Sequence, residues 1–327
     1  MSEREATIIG LDIGGTKTAI VEGTFDGRIL DRLEFSTEAW RPFAETGPGL
    51  FRSIQGVLDS ALESGRRVVA ISVSVGGPLR IESGILLDPP HLPGWHHLRL
   101  RDHLMEAFPD LPVFVEHDGN AGALAEFHFG AGRGRPNLRH LVFLTFGTGL
   151  GAGLIVNGQL LRGATDTAGE VGHLRLAPDG PFGYGKAGSW EGFASGAGLI
   201  ELAAQLFPDR WPAGTAIRQL VDAMLADDPA ALAVAAEAGR WMGRGIAMLL
   251  DTLNPELVVI GTLGVVLGER LLSSTRETVA AEALPATVAA CEIVPAGLGR
   301  HVGDVASLMA AITRYPQPLP TDRSTIG

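Results

Sequence analysis

Two stretches of the chain share one layout. ATIIGLD (6–12) runs through Ile13-Gly14-Gly15-Thr16-Lys17 into TAIVEG (18–23), and LVFLTF (141–146) runs through GTGLGAG (147–153) into LIVNG (154–158). A glycine turn between two apolar, strand-like segments makes a β-hairpin. Rossmann and P-loop turns must instead open into a helix, whose first amides hold phosphate. Neither segment after the turn reads as a helix start, so both of those readings are weak. The repeat points to a duplicated unit that begins with a hairpin. At 327 residues the chain is long enough for two α/β domains of this kind.

The remaining pattern fills in both halves. Apolar spacing predicts helices over 48–65, 99–108, 118–129, 198–207, 230–250, 267–282 and 303–314, the last with Asp304 near its start. Strands are predicted over 68–75, 111–116 and 257–261. A polar Gly/Arg/Pro-rich break lies at 130–139. The tail from Pro316 is expected to be loose. The expected division is a smaller N-terminal domain, 1–117 plus the C-terminal helix of about 300–327, and a larger domain, 118–299.

Net charge is −11, which argues against a broad nucleic-acid face. One cysteine, Cys291, allows no intramolecular disulfide and fits a reducing compartment. The N-terminus lacks the charged and apolar regions of a signal peptide, and no stretch has 18 uninterrupted apolar residues. A soluble cytoplasmic protein with no membrane partner is the expectation.

Several residue types could carry chemistry. Asp12, at the end of a strand, suits a metal-bound water, and Thr16, Lys17 and the amides of Gly14 and Gly15 suit phosphate. An ordinary glycine hairpin is the plainer alternative. Thr145, Gly147, Thr148 and Gly149 repeat the arrangement, so two turns could clamp a triphosphate from opposite walls of a cleft. Gly261, Thr262 and Gly264 follow a third strand and could pass under a nucleoside. Asp118 lies where a strand hands over to a helix. It could accept the proton of an alcohol attacking a γ-phosphate, or it could simply cap the helix. Glu170, His173 and Glu191 offer lone pairs to sugar hydroxyls, with a buried histidine and a surface acid as the alternatives.

The three glycine sites resemble those of the actin-like (RNase H-like) superfold of sugar kinases and heat-shock ATPases, two α/β domains with a nucleotide in the cleft between them. More narrowly, LDIGGTKTAI, SVGGPL, HLPGW, EHDGNAGALAEF, FLTFGTGLGAGLIVNG, GEVGH, SWEGFASG and VVIGTLG resemble the ROK family (repressors, uncharacterised reading frames and sugar kinases). They occur in the family's order from residue 10 to 264. The resemblance implies ATP- and Mg²⁺-dependent phosphorylation of a hexose or N-acetylhexosamine, usually on carbon 6. It implies Asp118 as general base, with His91, His117, Glu170, His173, Glu191 and Gly77 on the sugar side. The glycine turns would hold ATP and Mg²⁺, Asp12 being a candidate metal contact. Relatives are often dimers or tetramers, so a homodimer is an expected assembly.

The chain departs from the family in two places. Many relatives bind zinc through C-x-C-G-x-x-G-C-x-E. Here Phe182, Tyr184 and Ser189 take the cysteine positions, while Gly185, Gly188 and Glu191 match. No structural zinc is expected, since Phe and Tyr are not useful ligands and one remaining His is too few. Phe182 and Tyr184 are expected to pack into apolar surface and fix the loop in the metal's place. His91 and His117 stand where the family usually has Asn. An imidazole is bulkier and replaces one amide contact, so glucose is not the default acceptor. A non-catalytic sugar sensor is the alternative function. A transcriptional regulator ranks below it, because the first strand begins by residue 7 and leaves no room for a helix-turn-helix.

Overall fold

The computed structural model describes residues 5–316. The remainder of the proline-containing tail lies outside the described residues. The chain divides into two compact units. Unit 1 takes the chain to Pro136, Arg162–Ala168, and the chain from His301 on; unit 2 takes Asn137–Leu161 and Gly169–Arg300.

Unit 1 opens with β1 (Ala6–Ile13), β2 (Lys17–Gly23) and β3 (Ile29–Ser36), followed by α1 (Phe43–Glu63) and β4 (Arg67–Val75). A small hairpin, β5 (Leu79–Arg80) with β6 (Ile85–Leu86), precedes α2 (Leu100–Ala107), β7 (Val113–His117) and α3 (Asp118–His128). The main sheet has the order β3-β2-β1-β4-β7. β1, β2 and β3 are antiparallel in sequence, and β4 and β7 join them in parallel. Both faces of β1 and β4 are covered, which explains their near-continuous apolar runs. β3 is the edge, and its ILDRLEFS pattern carries the charges that blunt an open edge.

Unit 2 has β8 (Leu141–Phe146), β9 (Leu150–Val156) and β10 (Gln159–Leu160), then the short hairpin β11 (Phe182–Gly183) and β12 (Lys186–Ala187). The helices α4 (Trp190–Phe193), α5 (Gly196–Leu206), α6 (Ile217–Leu225) and α7 (Pro229–Leu253) lead to β13 (Leu257–Ile260). α8 (Leu263–Leu267), α9 (Glu269–Glu282), α10 (Pro285–Ala290) and β14 (Glu292–Pro295) complete the unit, and α11 (Val302–Arg314) returns to unit 1. The sheet order is β10-β9-β8-β13-β14. β8 pairs antiparallel with β9 and parallel with β13, which pairs parallel with β14. This is the pairing scheme of unit 1 repeated, as the two hairpins predicted.

Local chemistry sets several boundaries. Asp228 Oδ1 accepts the amides of Ala230 and Ala231, both at 3.0 Å, and Pro229 opens α7 with φ already helical. Asn254, in the left-handed region, ends it. The helix predicted over 267–282 is α9, which starts two residues later because Gly268, at φ 53°, separates it from the short α8. α1 starts five residues before its predicted start at 48, anchored by Phe43 against Trp95 at 5.0 Å between ring centres. The sequence reading does not include β3, whose apolar run is thinned by charge, nor α6, although Ile217, Leu220, Val221 and Met224 keep helical spacing.

The domain boundary needs correction. The expected division sent 118–136 to the second domain, but α3 stays in unit 1. Every residue from Gly119 to Phe127 is buried, because small side chains let α11, β4 and β7 approach from different sides. A helix apolar all round belongs in a core. Arg162–Ala168 also returns to unit 1, where Arg162 forks onto Glu116 at 2.8 and 2.6 Å. No helix among the described residues is long and apolar enough to cross a membrane.

Candidate functional site

In unit 1 the ends of β1, β4 and β7 converge. The first turn closes with Gly14 N–H donating to the Lys17 carbonyl at 3.0 Å. Thr37 braces it, donating its hydroxyl to the Gly14 carbonyl at 2.7 Å and its amide to that of Thr16 at 3.2 Å. Gly15 meets the backbone of His91: a Cβ there would lie 2.5 Å from the His91 carbonyl oxygen, so the turn and the HLPGW loop are seated on each other. Thr16 is exposed. Lys17 donates to Glu34 Oε2 at 2.9 Å, and Glu34 also receives Arg32. The lysine is thus held by the edge strand, a partner that the motif alone did not reveal.

Asp12 ends β1 beside the first turn of α11. A Cβ on Gly303 would lie 2.5 Å from Asp12 Oδ2, so the missing side chain is what admits the carboxylate there. Burial pushes the Asp12 carboxyl up to about 7, helped by Asp118 and Asp304 and opposed by Lys17 and Arg32. Asp304 is buried and receives Arg32 Nε at 2.8 Å. Asp118 and Asp304 lie near enough to Asp12 for their charges to act on it. One carboxylate plus substrate phosphates is the usual way in which Mg²⁺ is held. Among the described residues no group of three or more His, Cys, Asp or Glu side chains is arranged to hold a metal ion by itself.

Asp118 is the first residue of α3, and the cap position falls to His117, whose Nδ1 accepts the Gly119 amide at 3.2 Å. Asp118 Oδ1 also accepts that amide, at 2.7 Å. Its side chain is 46% exposed, and Oδ2 lies 3.8 Å from where a Cβ on Gly76 would stand. The alternative in which Asp118 is the helix cap therefore passes to its neighbour. The His117 ring stands over Gly77, where a Cβ would come within 2.8 Å of Cδ2 and 3.0 Å of Nε2. Gly77 makes room for an imidazole in this chain.

Beneath this pair lies a buried charge network. Glu116 is fully buried and receives Arg162, Arg314 and Asn120. Burial pushes its carboxyl up, but the hydrogen bond from Arg162 and the charge of Arg314 outweigh that, and its pKa falls below the usual carboxylate value. Arg314 also donates to the Val115 carbonyl at 3.0 Å, tying α11 to the strand that ends at His117.

In unit 2 the equivalent turn spans Gly147–Gly149. Thr145 braces it, its Oγ1 accepting the Gly151 amide at 2.9 Å, so that hydroxyl faces inward. Thr148 is the exposed hydroxyl of the turn. The Gly196 amide, opening α5, donates to the Gly147 carbonyl at 2.7 Å. A Cβ on Gly147 would stand 3.8 Å from Thr262 Oγ1, so the second and third glycine sites meet within this unit. Gly261 and Gly264 are packed: Cβ atoms there would run into Phe143 at 2.9 Å and Ile260 at 2.4 Å. Thr262, exposed at φ 40°, is the residue that this turn presents.

Glu170, His173 and Glu191 also come together. Glu170 and His173 flank a single helical turn. Tyr184 lies against both, its ring 3.7 Å from that of His173 and its hydroxyl 3.4 Å from Glu170 Oε2. Glu191 Oε2 accepts the Leu150 amide at 2.9 Å, which ties the acid to the end of the glycine turn. The neighbouring Trp190 is fully buried, and Gly245 of α7 leaves the space that it fills. Of the two aromatic residues expected to pack in place of zinc, Phe182 is 69% exposed, at the edge of a two-residue strand that offers no apolar cover. Tyr184 packs on His173. Ser189, the third cysteine position, donates to the Gly183 carbonyl at 2.9 Å and caps α4 by accepting Gly192 N–H at 3.1 Å.

The ROK family profile matches residues 8–313. The chain belongs to the ROK family. This ROK chain is 30% identical over 311 residues to a glucokinase of Halalkalibacterium halodurans, covering 90% of the chain and 92% of the relative. It is 30% identical to a xylose repressor of Caldicellulosiruptor bescii, with 84% of the chain and 70% of the repressor covered. The crystal structure of a ROK glucokinase from Streptomyces griseus with glucose and AMPPNP superposes with a TM-score of 0.76 at 32% identity, covering 92% and 97% of the two chains. The expected two-domain actin-like α/β fold is thereby borne out.

Proposed function

We infer that this ROK protein is a sugar kinase that phosphorylates a hexose or N-acetylhexosamine, with the hydroxyl on carbon 6 as acceptor. The observation that carries the reading is the state of Asp118. Its helix is capped by His117, and its carboxylate remains nearly half exposed at the mouth of β4 and β7. A carboxylate so placed can take the proton of an attacking hydroxyl at Oδ2 while Oδ1 stays on the Gly119 amide. The glucokinase relatives support the reading.

The other residues serve binding and orientation. Thr16, Thr148 and the turn amides would hold the nucleotide's phosphates, and Thr262 would lie under the nucleoside. Asp12 would be the protein contact for Mg²⁺, which would supply charge neutralisation at the phosphates. Glu170 and His173 accept sugar hydroxyls, and Glu191 keeps the hydroxyl side in register with the turn through Leu150. His117 accepts the Gly119 amide at Nδ1, and each ring nitrogen offers one sense of hydrogen bond where an amide would offer both. That difference, with His91, supports an acceptor shifted from glucose.

The similarity to a repressor supports a second reading, a sugar sensor without turnover. A coupled assay of ATP consumption across hexoses and amino sugars separates the two. Acceptor-dependent turnover that Asp118→Asn lowers by about 10²–10⁴-fold is the expected result. No turnover on any acceptor, with sugar binding intact, would establish the sensor.

A further inference from the structure

Tyr184 has no part in the mechanism above, yet it touches both His173 and Glu170. It sits at the tip between β11 and β12 with φ 50°, a left-handed conformation that is uncommon for a side-chain-bearing residue. Its half-buried ring lies against the exposed His173 imidazole, 3.7 Å between centres and tilted by 36°. Its hydroxyl donates to Glu170 at 3.4 Å. Gly172 makes the approach possible: a Cβ there would come within 2.7 Å of Tyr184 Cε2 and 3.3 Å of Glu191 Cβ. The hairpin is clamped in turn, because Ser189 joins Gly183 to the start of the helix that carries Glu191.

We propose that Tyr184 is a positioning residue that locks His173 and Glu170 into one rigid pair of acceptors, spaced to read two neighbouring hydroxyls of a sugar ring. The proposal rests on the reading that these two residues face the sugar. An exposed imidazole on a three-residue turn would rotate about its side-chain bonds if nothing lay against it. The Tyr184 ring against His173 and the Tyr184 hydroxyl on Glu170 join the two acceptors in one arrangement before sugar arrives. Pre-organised acceptors lose less entropy on binding. They also discriminate between epimers, because a displaced hydroxyl leaves one acceptor unpaired. Tyr184 does not touch the proton transfer, so its effect falls on sugar recognition.

The test compares wild type, Tyr184→Phe and Tyr184→Leu over a panel of hexoses, N-acetylhexosamines and their epimers. Sugar KM, ATP KM, kcat and melting temperature are measured for each. Tyr184→Leu is expected to raise the KM of the preferred sugar about tenfold, to flatten the preference between epimers, and to leave ATP KM within about twofold. Tyr184→Phe keeps the stack and loses the hydroxyl, so it recovers most of the difference. The proposal is overturned if Tyr184→Leu leaves sugar KM unchanged. It is equally overturned if sugar and ATP KM rise together with a fall in melting temperature, the signature of a loop that merely holds the fold. If wild type turns over no acceptor, the kinase reading fails separately. Calorimetric binding of the same sugars then decides: weakening in the order wild type, Phe, Leu supports Tyr184, whereas equal affinities or no binding by wild type overturns it.

Discussion

The two units share a sheet topology and hold their functional residues by different physics. In unit 1 the acids stand on buried charge: Glu116 with Arg162, Arg314 and Asn120 under the Asp118 end, and Asp304 with Arg32 beside Asp12. In unit 2 they stand on rings: Trp190 seated over Gly245 beside Glu191, Tyr184 on His173, and Phe193 stacked on Trp241 at 3.7 Å with planes 8° apart. A repeated backbone therefore does not dictate how a site is supported. Charge lets pH and salt reach a site, while packing resists both.

The comparison breaks most sharply at Glu116. Glu116→Ala strands Arg162 and Arg314 without their shared partner, and removal of one member of a buried ion network costs about 3–5 kcal/mol. Denaturant unfolding should show that loss. The same network predicts an acid response. Because the folded Glu116 pKa is depressed, its contribution is complete above the unfolded value near 4.5 and is lost as pH falls below it. Hydrogen exchange followed downward from pH 4.5 should release unit 1 strands before unit 2 strands; simultaneous release would erase the distinction.

Gly245→Ala probes the packed unit. Its Cβ would stand 2.1 Å from Trp190 Cε2, so α4 must move or the core must strain. Overpacking of this kind costs about 1–3 kcal/mol. The loss should be flat with pH, and sugar affinity should fall with it because Glu191 follows Trp190.

Asp12→Asn gives the smallest change, and its sign is opposite. A carboxyl raised to about 7 from 3.8 penalises the folded state as pH climbs between those values, and the penalty is complete above 7. The variant should be more stable than wild type by about 1–2 kcal/mol at pH 8, after screening of a half-buried group, and no more stable at pH 4. Phosphotransfer should fall at the same time. A stability loss at pH 8 would show that Asp12 is a structural member of the charge network.

Much of the candidate site could be marked from the sequence alone. The two hairpins with their three glycine positions, Asp118 at a strand–helix junction, and the Glu170, His173 and Glu191 group all lie in short contiguous motifs. Local spacing is enough to mark them. Arg32, Glu34 and Asp304 were not so marked, because their meaning is a partnership across 272 residues in the case of Arg32 and Asp304. Phe182 and Tyr184 looked alike in sequence, two residues apart on one hairpin. Only the fold separates them, placing one ring in solvent and the other on His173.

What the amino-acid order determined by itself is therefore the inventory and the repeat. Strand-forming runs, helix caps and glycine turns depend on neighbours a few residues away, and those survive in any reading of the chain. What the tertiary structure alone decided is which groups share an environment. It kept α3 in unit 1 by burying it on every side, gave the helix cap to His117 so that Asp118 stayed accessible, and buried Asp12 near Asp118 and Asp304, which raises its pKa. Burial and charge coupling act through space, and distance through space is written in the folded chain.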